Sequence, residues 1–340
     1  MASPRLTIGG YALLGGAGSP AEDQLYDELR ANPLVGGLEL PWTGESDSLH
    51  ARGDEWLAGH LAADWSVVVT SIPGTMAALS RDATYGLASS NADGRTSALA
   101  GAENLRRGIH HLNQAAGRRV VSHVELHGAP RAGAARPGPP GVQAPPSSPA
   151  SLERSLAEIA GWDWDGVDLL LEHVDARMPG HTPAKGFLRL DDEIAVIERG
   201  QLPVGILLNW GRSAIELRDP DAVAAQVERV RDAGLLRGLM FSGASAGASG
   251  TQATAAAGSW GEAWADQHLP PASAGRASAG GAQDGGSLLT TERMTEALAV
   301  AGDLDVLGLK IGTREPNQQA TLEMVRQAIE TVVSSRGVYR

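Results

Sequence analysis

The sequence predicts an α/β protein folded as a single (β/α)8 TIM barrel over residues 1–340, and three observations carry that prediction. Eight apolar runs of strand length recur along the chain, each followed by polar, Gly or Pro residues and then by a stretch of helical character. A chain of 340 residues has the length for one large barrel as well as for two ordinary domains. An open doubly wound sheet would place a G-x-G-x-x-G turn after its first strand; "GGYALLGGAGSP" has glycines but not that spacing, and reads as a loop.

The predicted strands are 6–14, 37–40, 66–72, 120–126, 167–171, 204–208, 235–241 and 306–311, all rich in Val, Leu and Ile. Between them, helix 21–31 opens after Ser19-Pro20, a cap followed by Pro in the first turn. Helix 96–116 is long and amphipathic, 151–159 begins on Ser151, 220–233 follows Asp219, and 321–334 is the last. Residues 131–149 are rich in Pro, Gly and Ala, and residues 244–287 in Ala, Gly and Ser. They read as long loops after strands four and seven, at the strand-end face where barrel enzymes carry their sites.

Composition narrows the function classes. With 40 acidic and 28 basic residues the net charge is −12 and no Lys/Arg-rich block occurs, which argues against a nucleic-acid partner. The absence of cysteine excludes disulfides, thiolate metal sites and a Cys nucleophile, and suits a cytoplasmic protein. "MASPRLTIGGYALLGG" lacks the charged start and continuous apolar stretch of a signal peptide, and no run of 18 apolar residues occurs, so no membrane partner is expected. A homo-oligomer is compatible with the sequence.

Polar residues collect at the strand ends: Glu39, Thr70, Glu125 with His127, Glu172 with Asp175, Asn209 with Arg212, Ser242 and Lys310. Residues two apart on a strand share a face, so Glu125 and His127 point the same way. Crowded carboxylates raise one another's pKa, and stability does not ask for that arrangement, so the pattern points to function. Bland readings stand beside it. Glu39 reads otherwise as an edge acid, His127 as a hydrogen-bonded loop histidine, and Arg212 as a surface partner of Glu216 one turn on. Lys310 either snorkels outward or neutralises the acids from within. His173 is expected to face away from Glu172 and to be structural. Trp42, Trp210, Trp260 and Trp264 are candidates for stacking on sugar rings, whereas Trp162 and Trp164 read as core; the second long loop adds Asp266 and His268.

The succession "LELPW", "TSIPGTM", "YGLASSNADGR", "VELHGAP", "WDWDG" with "EHVDA", "KGFL", "NWGRSAIE", "MFSGAS" and "LGLKIG" resembles a bacterial family known as domain of unknown function 4862, over nearly the whole chain. The resemblance implies membership of the xylose-isomerase-like TIM-barrel superfamily, which includes sugar isomerases, epimerases and endonuclease IV. It also implies a divalent metal held by acids and a histidine from strands five to eight. Here Glu172 matches on strand five, but strand six offers Asn209, strand seven Ser242 and strand eight Lys310, a poor set for a cation. A displaced metal site would draw on Glu125, Glu172 and His268, with His127 and Asp266 nearby in type; the reading without any cofactor is preferred.

Without a metal, several carboxylates in a sugar-binding barrel suggest a glycoside hydrolase, with Glu125 and Glu172 as the acid/base or nucleophilic pair, Lys310 holding its neighbour ionised and His127 orienting the acid. Glu39, Trp42, Asn209, Trp210, Arg212, Trp264, Asp266 and His268 would bind the small carbohydrate substrate. The alternative is a sugar or sugar-phosphate isomerase or epimerase, with Glu172 or Glu125 as base and Lys310, His127 or a metal as electrophile. A non-catalytic sugar-binding barrel is the third reading. An apurinic-site endonuclease would need a metal cluster and a basic face that the chain lacks.

Overall fold

The eight apolar runs form eight parallel strands that close into a barrel in chain order: β1 (Leu6–Gly9), β2 (Val35–Pro41), β3 (Ser66–Thr70), β4 (Val121–Leu126), β5 (Asp168–His173), β6 (Val204–Asn209), β7 (Leu236–Phe241) and β8 (Val306–Lys310). A computed structural model describes residues 5–13, 20–44, 46–132, 146–245, 263–272, 287–313 and 317–337. Most of the two long Pro/Gly/Ala-rich loops, and Trp260 within the second, lie outside the described residues.

The helices are α1 (Pro20–Ala31), α2 (Asp54–His60), α3 (Ile72–Arg81), α4 (Ala92–Ala116), α5 (Pro149–Ala160), α6 (Leu190–Gly200), α7 (Trp210–Leu217), α8 (Val223–Asp232), α9 (Thr291–Ala301) and α10 (Gln318–Gly337). Caps explain where several begin and end. Asn91 accepts a hydrogen bond from the Gly94 amide at 2.9 Å and starts α4 four residues ahead of the predicted 96. Gly117, at φ 63°, ends it in the left-handed conformation that suits glycine. The predicted strand 6–14 stops at Gly9, where Gly10–Leu13 forms a 3-10 turn. The predicted helix 220–233 divides into a 3-10 turn, Pro220–Ala222, followed by α8. Among the described residues no helix is long and apolar enough to cross a membrane.

The chain divides into two compact units, Met1–Glu39 with Leu208–Arg340 and Leu40–Leu207. In the first, β1 lies between β2 and β8, with Thr7 opposite both Gly37 and Gly308, and β8 continues to β7 with Gly308 opposite Met240. The Met240 sulfur occupies the space a Cβ at Gly308 would need, so the small residue is set by close packing. In the second unit β4 lies between β3 and β5, with Thr70 opposite Glu125 and Leu126 opposite Leu171. Helix α4 covers this sheet with Leu105, Ile109 and Leu112, and α5 with Leu152, Leu156 and Ile159, all fully buried.

Candidate active site

In the second unit, β3, β4 and β5 bring three side chains into one hydrogen-bonded row. Ser71 directly follows β3 and caps no helix N–H with its side chain, although it stands at the start of α3. Its backbone amide donates to the Glu125 carbonyl at 3.1 Å and its hydroxyl donates to the same carbonyl at 2.8 Å. The hydroxyl oxygen is also 2.9 Å from His127 Nδ1, and His127 Nε2 is 2.7 Å from Glu172 Oε2. His127 and Glu172 have side chains with no solvent exposure.

Counting protons fixes the states of this row. A hydroxyl carries one proton, and the Glu125 carbonyl can only accept, so the Ser71 proton goes there. Ser71 therefore accepts from His127, and Nδ1 carries a hydrogen. The facing atoms Nε2 and Oε2 then hold one proton between them. The pair is an imidazolium beside a carboxylate or a neutral imidazole beside a carboxylic acid, and moving one proton across 2.7 Å interconverts the two.

The surrounding residues of this unit are structural or supportive. His173 Nδ1 is 2.7 Å from Glu193 Oε2, with both side chains buried, and this contact ties β5 to α6, away from Glu172. The Asp175 carboxylate accepts from the Lys185 amide at 2.9 Å while its carbonyl accepts from the Gly186 and Phe187 amides, which folds the loop after β5. The Glu125 side chain is fully buried at the end of β4. Trp42 is buried as well, its ring resting on Gly74, where a Cβ would stand 2.8 Å from it. Its indole N–H has no partner among the described residues. A cavity of about 20 Å³ lined by Trp42, Ser71, Thr75, Tyr85 and His127 has room there for one water.

In the first unit, Lys310 at the end of β8 donates to Glu39 Oε1 on β2 at 2.7 Å, and both side chains are fully buried. Gly9 makes this possible, because a Cβ there would overlap the Glu39 carboxylate. Tyr11 lies with its ring 5.3 Å from the Lys310 ammonium; burial, reinforced by Glu39, pushes its phenol far above the ordinary value against the opposing pull of Lys310 and Arg212. Asn209 ends β6 and caps α7, its Oδ1 accepting from the Arg212 amide at 3.2 Å and from Ser242 Oγ at 2.7 Å. Arg212 is buried and faces Asp266 Oδ2 at 3.3 Å, with His268 Nδ1 3.4 Å from Asp266 Oδ1. Arg212 and Glu216 are both buried, so the segment is no exposed surface pair. Trp210 is wholly buried, and the Trp264 ring is faced by the Arg218 guanidinium at 5.3 Å, so neither presents a bare indole face.

Ser71, Tyr11 and Glu193 are missing from the residues singled out by sequence. Ser71 had a visible signal, a second hydroxyl immediately after strand three in "TSIPG". Tyr11 sits in a run whose apolar pattern reads as strand, and Glu193 in a helix, α6, with no Ser, Thr, Asp or Asn cap before it to mark its start.

The strand-end residues of the first unit do not fit a divalent cation. The Arg212 amide can only donate, so Oδ1 of Asn209 is the atom facing it, and Nδ2, a pair of N–H donors, is buried with no partner among the described residues. Neither an ammonium nor an amide nitrogen offers a cation a lone pair. Among the described residues no group of three or more His, Asp or Glu is placed to hold a metal, the set Glu125, Glu172 and His268 included.

The profile of the family described as Domain of unknown function (DUF4862) matches residues 7–325. A Salmonella typhimurium LT2 protein described as uncharacterized protein STM3670 is 37% identical over 249 residues, 73% of this chain and 72% of that one. Among solved structures, D-psicose 3-epimerase with D-tagatose from Clostridium cellulolyticum H10 is 13% identical, covering 98% of this chain and 97% of its own with a TM-score of 0.54. A xylose isomerase domain containing protein from Salmonella typhimurium LT2 is 9% identical over 97% of each chain, with a TM-score of 0.58. A xylose isomerase-like TIM barrel protein from Mycobacterium smegmatis, solved in complex with magnesium, is 13% identical over 98% of each chain, with a TM-score of 0.50.

These likenesses show the TIM-barrel fold, and they correct the expectation of a glycoside hydrolase: the neighbours are a sugar epimerase and xylose-isomerase-like proteins.

Proposed function

We propose, from the premise that this chain belongs to the DUF4862 family of TIM-barrel proteins, that it isomerises or epimerises a small sugar by moving a proton next to the sugar carbonyl. The observation that carries the reading is the buried row Ser71, His127, Glu172. In the ion-pair form Glu172 is a carboxylate able to take the proton from the carbon beside the carbonyl, leaving an enediolate. His127 gives its Nε2 proton to the developing oxyanion, and Ser71 holds the other ring hydrogen on Nδ1. Return of the proton by Glu172 to the neighbouring carbon isomerises; epimerisation needs a second proton donor on the opposite face of the enediolate. The neighbours' described activities support this class. The residues at the ends of β6 to β8 give no support to a metal step. A cytoplasmic location belongs to the same proposal and is in keeping with the absence of cysteine.

The test is to incubate the purified protein with a panel of aldoses and ketoses, with and without EDTA, and to follow interconversion by NMR. Interconversion of one pair that persists in EDTA and is lost in Glu172→Gln supports the reading. Conversion carried equally well by Glu172→Gln would refute it.

A further inference from the structure

The chain carries −12 overall, yet the segments following the two strands that hold His127 and Glu172 have the opposite character. Residues 128–152 and 176–190 contain Arg131, Arg136, Arg177, Lys185 and Arg189 and not one Asp or Glu. The structure gathers part of this charge around a cavity of about 440 Å³, lined by Arg131, Arg177, His181, Thr182, Gly180 and Gly186 among others. That volume is within the range of small-molecule sites. Arg131 is held in place by a bond from its guanidinium to the Ala184 carbonyl at 3.0 Å, and the Ala132 amide donates to the Gly186 carbonyl at 2.7 Å, so the two loops are fastened together. Beneath them, Ala129 and Val174 pack with Phe187 and Ile72 in one apolar cluster. Neither Arg131 nor Arg177 has a carboxylate within ion-pair distance among the described residues. The sequence places no acid in either loop to supply one. Two guanidiniums facing one cavity repel each other unless an anion joins them, and planar guanidinium is suited to bidentate contact with phosphate or carboxylate.

We infer that this cavity binds the anionic group, a phosphate or a carboxylate, of an acidic sugar substrate, through Arg131 and Arg177 with His181 and Thr182 beside them. The inference rests on the proton-transfer reading for the identity of the ligand as a sugar. Arg131 is four residues beyond His127 and Arg177 five beyond Glu172, so the chain keeps both within roughly 17 Å of that pair. The cavity is therefore a place for the remote end of a substrate, not for its reacting carbon. Neutral sugars would forgo this contact.

The test is isothermal titration calorimetry of the full-length protein at low ionic strength with three probes: inorganic phosphate, D-glucuronate and D-glucose. The wild type is expected to bind at least one of the two anions, and the double variant Arg131→Ala/Arg177→Ala to bind it roughly ten- to a hundredfold more weakly, the loss of one or two charge-assisted hydrogen bonds. Phosphate alone would identify a phosphorylated sugar, glucuronate alone a sugar acid. Because both arginines are exposed, Arg177→Glu serves as a second variant that leaves the core untouched and should abolish anion binding. The inference is overturned if neither anion binds, if the variants bind it as the wild type does, or if D-glucose binding falls equally. Calorimetry needs no turnover, so arginine-dependent anion binding without interconversion of sugars would sink the enzymatic reading and leave the anion site standing without its assignment to a sugar substrate.

Discussion

Lys310→Met removes one partner of a fully buried pair and leaves the Glu39 carboxylate without the ammonium 2.7 Å away. Methionine fills a similar volume without charge, so the cost is that of an uncompensated buried carboxylate. Breaking a buried pair from one side costs about 3–5 kcal/mol, against about 0–1 kcal/mol for a surface pair. For 340 residues at about 2.1 cal/mol/K each, the unfolding entropy is about 0.7 kcal/mol/K, and the expected fall in Tm is therefore about 4–7 °C. The assay is thermal and urea unfolding followed by circular dichroism for the wild type, Lys310→Met, Glu39→Gln and the double variant. The double variant should recover most of the loss, because a neutral amide beside a thioether leaves no orphaned charge. A single variant that loses less than about 1 kcal/mol, or a double variant no better than Lys310→Met, would refute the description of the pair as mutually dependent.

Two further substitutions should separate a structural contact from the catalytic row. His173→Leu strands Glu193 and should cost about 3–5 kcal/mol of stability, seen as a lower urea midpoint; restored stability is expected when Glu193→Leu is added. Ser71→Ala removes the acceptor for His127 Nδ1; nitrogen NMR should then show the ring losing its fixed Nδ1–H state, with the rate falling about tenfold and KM nearly unchanged. Rescue by Ser71→Thr should follow, and a variant spectrum matching wild type would count against the tautomer assignment. Tyr11 and Tyr26 have phenols raised well above their ordinary value of about 10, the first by burial and Glu39, the second by burial and Glu22. A raised folded pKa means stability fully present below pH about 10 and lost as pH rises above it, because the unfolded phenols ionise first. The Tm should decline above that pH, less steeply in Tyr11→Phe; an equal slope would exclude Tyr11 as a contributor.

The barrel was legible because its signals are local and repeated. Strands β3, β4, β6, β7 and β8 are written as runs such as "VVV" and "GILLN", and their ends lie within two residues of those read from sequence. Helices α3 and α7 were not legible because they begin with no loop after β3 and β6, so the strand period passes directly into the helical one. At the site, the residue types at strand ends were visible, but their partners were not. His127 and Glu172 are 45 residues apart, and nothing in sequence says that Ser71, rather than Thr70 beside it, reaches the imidazole. Likewise "NWGRSAIE" suggests an i,i+4 pair of Arg212 with Glu216, but the approach of Arg212 to Asp266, 54 residues on, is set by tertiary packing. The hydrolase reading rests on strand-end carboxylates taken together with a poor set of metal ligands, a pattern of residue types that does not distinguish it from the sugar epimerase and xylose-isomerase-like neighbours.

The most direct test of the central claim, that His127 and Glu172 move one proton at the carbon beside a sugar carbonyl, is solvent deuterium incorporation into recovered sugar, measured by proton NMR in D2O. Wild type is expected to exchange one carbon-bound hydrogen of a single ketose or aldose, and both His127→Gln and Glu172→Gln to lose that exchange by about 10²–10⁴-fold while keeping the wild-type fold by circular dichroism. Exchange undiminished in folded Glu172→Gln, or sugar interconversion with no deuterium entering from solvent, would contradict it.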